Sequence, residues 1–193
     1  MTKEQRWEIE WKLLYSVIVA GKSAKFAENA TDKFLCNMIR GKEGPFDYLK
    51  AVVKLEILDI ILKLARTGSY TRIKKCFEGI IELNPVTCTV EALEAIHGIG
   101  PKTARFFVMW TREDQNYAAL DTHILKWMKY LGYNVPKSTP SGKKYALIEK
   151  QFLAEAEKRS IGARDLDAMI WEYCSNGGHK SGEWHGILEK LSD

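Results

Sequence analysis

Cysteine is scarce in this chain and badly spaced for chemistry. The 193 residues hold four, at 36, 76, 88 and 174. No pair stands at metal-ligand spacing, and no four could hold an iron–sulfur cluster. Buried free thiols in a reducing compartment are the expectation. Long apolar runs are lacking as well, which excludes a membrane span. The opening "MTKEQRWEIEW" has no apolar core of the kind a signal peptide carries. A soluble, intracellular protein with no membrane partner is expected. Strand-like alternation and internal repeats are missing, which argues against sheet folds and repeat arrays. An excess of one charge is lacking too. Lys and Arg number 29 against 25 Asp and Glu, a net +4, a mild basic bias that is compatible with nucleic acid without requiring it.

What is present is an ordinary globular composition. At 46% hydrophobic, 28% charged and 11% aromatic, the chain can bury the core of one domain or of two small lobes, and is too aromatic for disorder. Hydrophobic spacing predicts a first helix over 4–20, with Trp7, Trp11, Leu14 and Ile18 on one face and Gly21 as its stop. Ser23 is placed to cap a second over 24–39, with Phe26, Ala30, Phe34 and Ile39 pointing inward. One long apolar helix is predicted over 46–66, another over 70–83. A short helix runs from Thr89 to Ile96, and further helices are predicted from Pro101, from Asp121 to Leu131, over 142–158 and over 164–175, with a short final one after the glycine-rich break. The chain reads as an all-α protein.

One stretch carries more than helix. In "HGIGPKTA" (97–104) two short helices are joined by Gly98-Ile99-Gly100, the signature of a helix-hairpin-helix. The glycines allow positive φ and close approach of another backbone. Ile99 anchors the turn, and Pro101 suits a first helical position. The unpartnered N–H groups of that helix start can bind a DNA phosphate, which makes Gly98, Ile99, Gly100, Lys102 and Thr103 the candidate DNA-binding hairpin. The turn's carbonyls offer a place for a monovalent cation. A plain tight turn is the alternative. Lys102 stands in the first turn of a helix, where a cation is mildly unfavourable. It holds a phosphate, does chemistry, or simply sits in solvent.

Nineteen residues on, Asp121 stands in "ALDTHILKWMKYLG". It reads as the N-cap of a helix whose Ile124, Leu125, Met128 and Leu131 pack inward. His123 reads as a packing or capping histidine, since no partner at metal-ligand spacing accompanies it. Lys22, Lys25, Lys137, Lys143 and Lys144 are candidate phosphate contacts, with ordinary solvated surface as the alternative.

"HGIGPKTA" followed by "ALDTHIL" resembles the helix-hairpin-helix DNA glycosylase superfamily, the endonuclease-III-like group. The similarity is closest to the compact 8-oxoguanine DNA glycosylase/AP lyase branch. It extends to "LLYSVIVAGKSAKFA" (13–27), "KSTPSGKKYALIEKQF" (137–152) and "DLDAMIWEYCSNGGHK" (165–180), and spans most of residues 10–180 with a loose middle. The resemblance implies a two-lobed helical fold with the active-site cleft between lobes. One lobe would cover about 30–130 with the hairpin at 91–107. The other would combine the N-terminal helix with about 137–193. It implies Lys102 as Schiff-base nucleophile and Asp121 as essential carboxylate. Lys22, Ser23, His123, Asp165, Asp167, Trp171 and Lys180 are implied contacts of the base pocket or DNA, although Trp171 by itself reads as core and Asp165 as a cap. No iron–sulfur cluster or other cofactor is implied beyond Na+ or K+ at the hairpin. The partner would be double-stranded DNA with a damaged or modified base, bound by a monomer. Three departures are visible: His97 precedes the first glycine where the family usually has proline or another residue, loop 20–23 "AGKS" lacks the family's Asn or Gln wedge, and residues continue past Lys180. The last two leave room for a base-modifying enzyme on the same scaffold, of the kind implicated in phage DNA hypermodification. A non-catalytic DNA-binding hairpin is the third reading.

Overall fold

Several helices in this protein begin where a side chain takes the first free backbone N–H groups. The computed structural model describes residues 1–38, 44–112, 114–178 and 184. Helix α1 (Lys3–Val19) starts from a capping box. Thr2 accepts from the Gln5 N–H at 3.2 Å, and the Gln5 side chain accepts from the Thr2 N–H at 2.7 Å. Ser23 caps α2 (Ala24–Phe34) and Thr89 caps α6 (Val90–Glu94), both as the sequence suggested. The start of α3 (Pro45–Lys54) is held from a distance: buried Glu10 of α1 accepts from the Phe46 N–H at 3.2 Å and from Arg6 at 2.9 Å. A carboxylate there also complements the positive end of α3.

The long helix expected over 46–66 is two helices, α3 and α4 (Leu58–Leu64). Glu56 breaks it with φ +58°, and the Ile57 N–H returns to the Val52 carbonyl at 3.2 Å. That is a Schellman stop, normally a glycine's task. Arg66 and Ser160 repeat it, whereas Gly132, after the helix Thr122–Tyr130, supplies the usual residue. Helix α2 ends at Phe34, short of the expected 39, and Ile39 lies outside the described residues. Ala30 and Phe34 are buried as expected, but Phe26 is 42% exposed.

The remaining helices are α5 (Tyr70–Ile80), α7 (Pro101–Thr111), α8 (Thr122–Tyr130), α9 (Gly142–Lys158) and α10 (Ala163–Ser175). Among the described residues there is helix and no strand. The chain divides into two compact units, 1–107 and 108–193. In the first, α1 packs against α2, α3 and α5, so the N-terminal helix belongs with the hairpin rather than with the later helices as expected. Its core holds Leu14, Ile18, Leu49, Leu62 and Ile73, with Phe34 set edge-on to Phe77 (5.2 Å, 61°) and Tyr48 (5.7 Å, 78°). In the second, α10 packs on α8 and α9 around Trp127, Tyr145, Ile148, Phe152, Leu166 and Ile170. Here the Asp121 helix sits, not with the hairpin lobe as the expected 30–130 boundary implied.

Candidate nucleic-acid and catalytic site

The hairpin rests on one face of α5. Arg72, Cys76 and Gly79 recur at helical spacing, and each meets the turn. Arg72 donates to the Gly98 carbonyl at 3.4 Å and to the Val17 carbonyl, near the end of α1, at 2.9 Å. The Cys76 thiol donates to the His97 carbonyl at 3.4 Å. Gly79 lies so close to Ile96 that a Cβ on it would come 2.6 Å from Ile96 Cγ2. Glu94 and Arg105 form an ion pair that joins α6 to α7 across the turn. Sequence reading missed this platform, whose one visible signal was the spacing of Arg72, Cys76 and Gly79.

The two glycines differ. Gly98 has φ +91°, and a Cβ there would meet Cys76 Sγ at 2.9 Å and Arg72 Cγ at 3.0 Å. Gly100 does not take the positive φ expected of it, and a Cβ on it would meet nothing within 4 Å. Ile99 is buried, as an anchor should be, and Thr103 is buried too. Any DNA contact from Thr103 therefore falls to its backbone N–H. By helix geometry, the N–H groups of Lys102 and Thr103 have no carbonyl within α7 to bond.

The carbonyls of His97 and Gly98 accept from the Cys76 thiol and from Arg72, which brings a fixed positive charge to the turn.

Lys102 is half-buried, and its Nζ stands 4.7 Å from the centre of the Phe106 ring one turn on. Among the described residues that ammonium makes no hydrogen bond or ion pair. Lys22, a candidate phosphate contact, donates to the Ile18 carbonyl at 3.0 Å and helps cap α1. Burial, and then the neighbouring Arg72 charge, push the Lys22 amine below its ordinary value. Arg72 and Lys22 thus meet at the end of α1, beside the hairpin.

Asp121 is the N-cap of α8. Its Oδ1 accepts from the N–H groups of His123 at 2.8 Å and Ile124 at 2.9 Å. Its Oδ2 takes no hydrogen bond among the described residues. The charge is felt nearby: burial first, and then Asp121, push the Cys174 thiol up to about 11. His123 is half-buried and gives its backbone N–H to Asp121.

On α10 the placements are mixed. Asp165 is exposed in the first turn with its carboxylate near Gly162, but it makes no capping hydrogen bond among the described residues. Asp167 is half-buried. Trp171 is 47% exposed and not core, because Leu166, Ile170 and Cys174 take the buried side of the helix. Ser23 is exposed and spent on capping α2, and Lys25, Lys137, Lys143 and Lys144 are exposed. Lys180 lies outside the described residues. Of the cysteines, 76, 88 and 174 are buried free thiols, and Cys36 is exposed, unlike the expectation.

Among the described residues no group of three or more His, Cys, Asp and Glu could hold a metal ion, and no helix is long and apolar enough to cross a membrane. No family model matches the chain, and no solved structure matches it.

Proposed function

We propose that the chain is a DNA glycosylase with lyase activity. It acts on double-stranded DNA carrying a damaged or modified base, an oxidised purine such as 8-oxoguanine first among them. The observation that carries this reading is that both reactive groups stand at helix starts with an atom uncommitted. Lys102 Nζ stands over the Phe106 ring with no hydrogen bond or ion pair among the described residues, and Asp121 Oδ2 has no hydrogen bond among them. The open backbone at Gly100 supports the DNA-binding part. The two helical units, one with the hairpin and one with the Asp121 helix, support the two-lobed form of the fold.

The target base is shielded within the duplex, so it is flipped out at a cost of about a few kcal/mol. Neutral Lys102 attacks C1′ of the extruded nucleotide. The N–C1′ bond forms as the glycosidic bond breaks, and the base leaves with the bonding pair and gains a proton. Asp121 stabilises the positive charge that develops on the sugar and steers that proton. Opening of the sugar ring gives a Schiff base. Loss of a C2′ proton then expels the 3′ phosphate by β-elimination.

Borohydride trapping on a panel of single-lesion and abasic duplexes tests this. A covalent adduct is expected, and it should vanish in Lys102→Ala. Base release without an adduct would replace Lys102 by a water that Asp121 directs. Duplex binding with neither adduct nor release, unchanged in Asp121→Asn, would refute the catalytic reading and leave a binding hairpin.

A further inference from the structure

The approach to Asp121 is fixed by side chains from elsewhere. Residues 118–120 form neither helix nor strand, and Ala118, Ala119 and Leu120 are all buried. Buried main-chain groups need partners, and here a helix and a loop supply them. Glu149 of α9 accepts from the Ala118 N–H at 3.0 Å. The Tyr145 hydroxyl, one turn earlier on α9, donates to the Ala118 carbonyl at 2.7 Å and accepts from the Leu120 N–H at 3.0 Å. The Thr139 hydroxyl donates to the Leu120 carbonyl at 3.0 Å. Four main-chain groups just before Asp121 are therefore tied down. Asp121 itself is extended (φ −99°, ψ −177°), so the direction of its side chain follows the incoming segment. The first N–H groups of α8 hold only Oδ1.

We propose that Tyr145 and Glu149, with Thr139, are positioning residues that aim the Asp121 carboxylate through the main chain without touching it. The catalytic consequence rests on the glycosylase reading; the positioning itself does not. The full chain is compared with Tyr145→Phe, Glu149→Met and Glu149→Gln, first without substrate. Hydrogen exchange is read at the His123 and Ile124 amides, the two that Asp121 caps, against the Met128 amide later in α8. Tyr145→Phe and Glu149→Met should speed the two capped amides about tenfold over Met128. Glu149→Gln, which keeps an acceptor for Ala118, should stay within about twofold of the unaltered chain.

The second arm is single-turnover base release from a duplex with one 8-oxoguanine at saturating protein. Tyr145→Phe should slow release about tenfold with duplex Kd within about twofold. The same change should slow nothing further in an Asp121→Asn background. Unaltered exchange at His123 and Ile124 in both Tyr145→Phe and Glu149→Met overturns the positioning, as does equal slowing with and without Asp121. If the amides respond but the unaltered chain releases no base from any duplex of the panel, the glycosylase reading fails and the positioning stands. Should Tyr145→Phe not fold, Glu149→Met and Thr139→Val carry the same two readouts.

Discussion

Replacing Gly98 by alanine probes the α5 platform directly. Gly98 sits at φ +91°, where an L-residue is strained, at a cost of about 1–2 kcal/mol. The new Cβ would also stand 2.9 Å from Cys76 Sγ and 3.0 Å from Arg72 Cγ, so a neighbour must move. Neither is idle: the thiol holds the His97 carbonyl, and the guanidinium holds those of Gly98 and Val17. Overpacking of this kind costs about 1–3 kcal/mol. The two terms together put Gly98→Ala about 2–5 kcal/mol below the unaltered chain. Cys76→Ala removes one of the two clashing atoms. In the Gly98→Ala background it should return about 1–2 kcal/mol, a coupling that a double-mutant cycle reads. Urea unfolding of all four proteins, followed by far-ultraviolet circular dichroism with slopes compared, supplies the numbers. A Gly98→Ala loss under about 0.5 kcal/mol, or strictly additive effects of the two changes, would refute the close approach on which the platform depends.

Two other substitutions give different signs. Gly100→Ala should leave stability unchanged or raise it by up to about 1 kcal/mol, because its Cβ meets nothing. On the DNA reading it should nonetheless weaken duplex binding in a fluorescence-anisotropy titration, and unchanged affinity would separate Gly100 from DNA. Glu155 is the pH test. Burial raises its carboxyl, but hydrogen bonds from Lys158, Tyr133 and Arg159 outweigh that and hold it at about 2. A carboxylate so depressed stabilises the fold above its ordinary value of about 4.3, and that contribution fades as pH falls toward 2. Lys158 is 65% exposed and screened, so the contribution is about 1–2 kcal/mol at neutral pH. Glu155→Gln should therefore be less stable by that amount at pH 7 and match the unaltered chain near pH 2. An equal deficit at both pH values would show that the charge is not what matters.

Helix starts were legible in the sequence because their signals are local: Ser23, Thr89 and Asp121 each lie within three residues of the N–H they bind. Helix stops were less so. The break between α3 and α4 is made by Glu56 in a conformation that glycine favours, and nothing in its side chain announces it. The same blindness did not apply to Trp171. The buried residues Ala163, Leu166, Ile170 and Cys174 follow a helical stripe that leaves position 171 outside, so periodicity alone could have placed it.

The site divides along the same line. Lys102 and Asp121 could be read from their neighbours, because a hairpin turn and an N-cap are properties of a few consecutive residues. Arg72, 26 residues from the carbonyl it holds, and Glu149, 31 residues from the amide it holds, could not. Such ties form only when helices pack, and their residue types are ordinary for an amphipathic helix. The hairpin glycines show what the structure adds to a motif. Gly98 is explained by the fold itself, since φ and α5 both require it, and so it says nothing about a ligand. Gly100 is required by neither its φ nor any neighbour. Glycine is tolerated before a helix but has no special claim on that position. A missing side chain there clears space on the outer side of the turn, where the free N–H groups of α7 begin. On the proposed DNA-binding reading, that space would let a phosphate-bearing backbone reach those N–H groups.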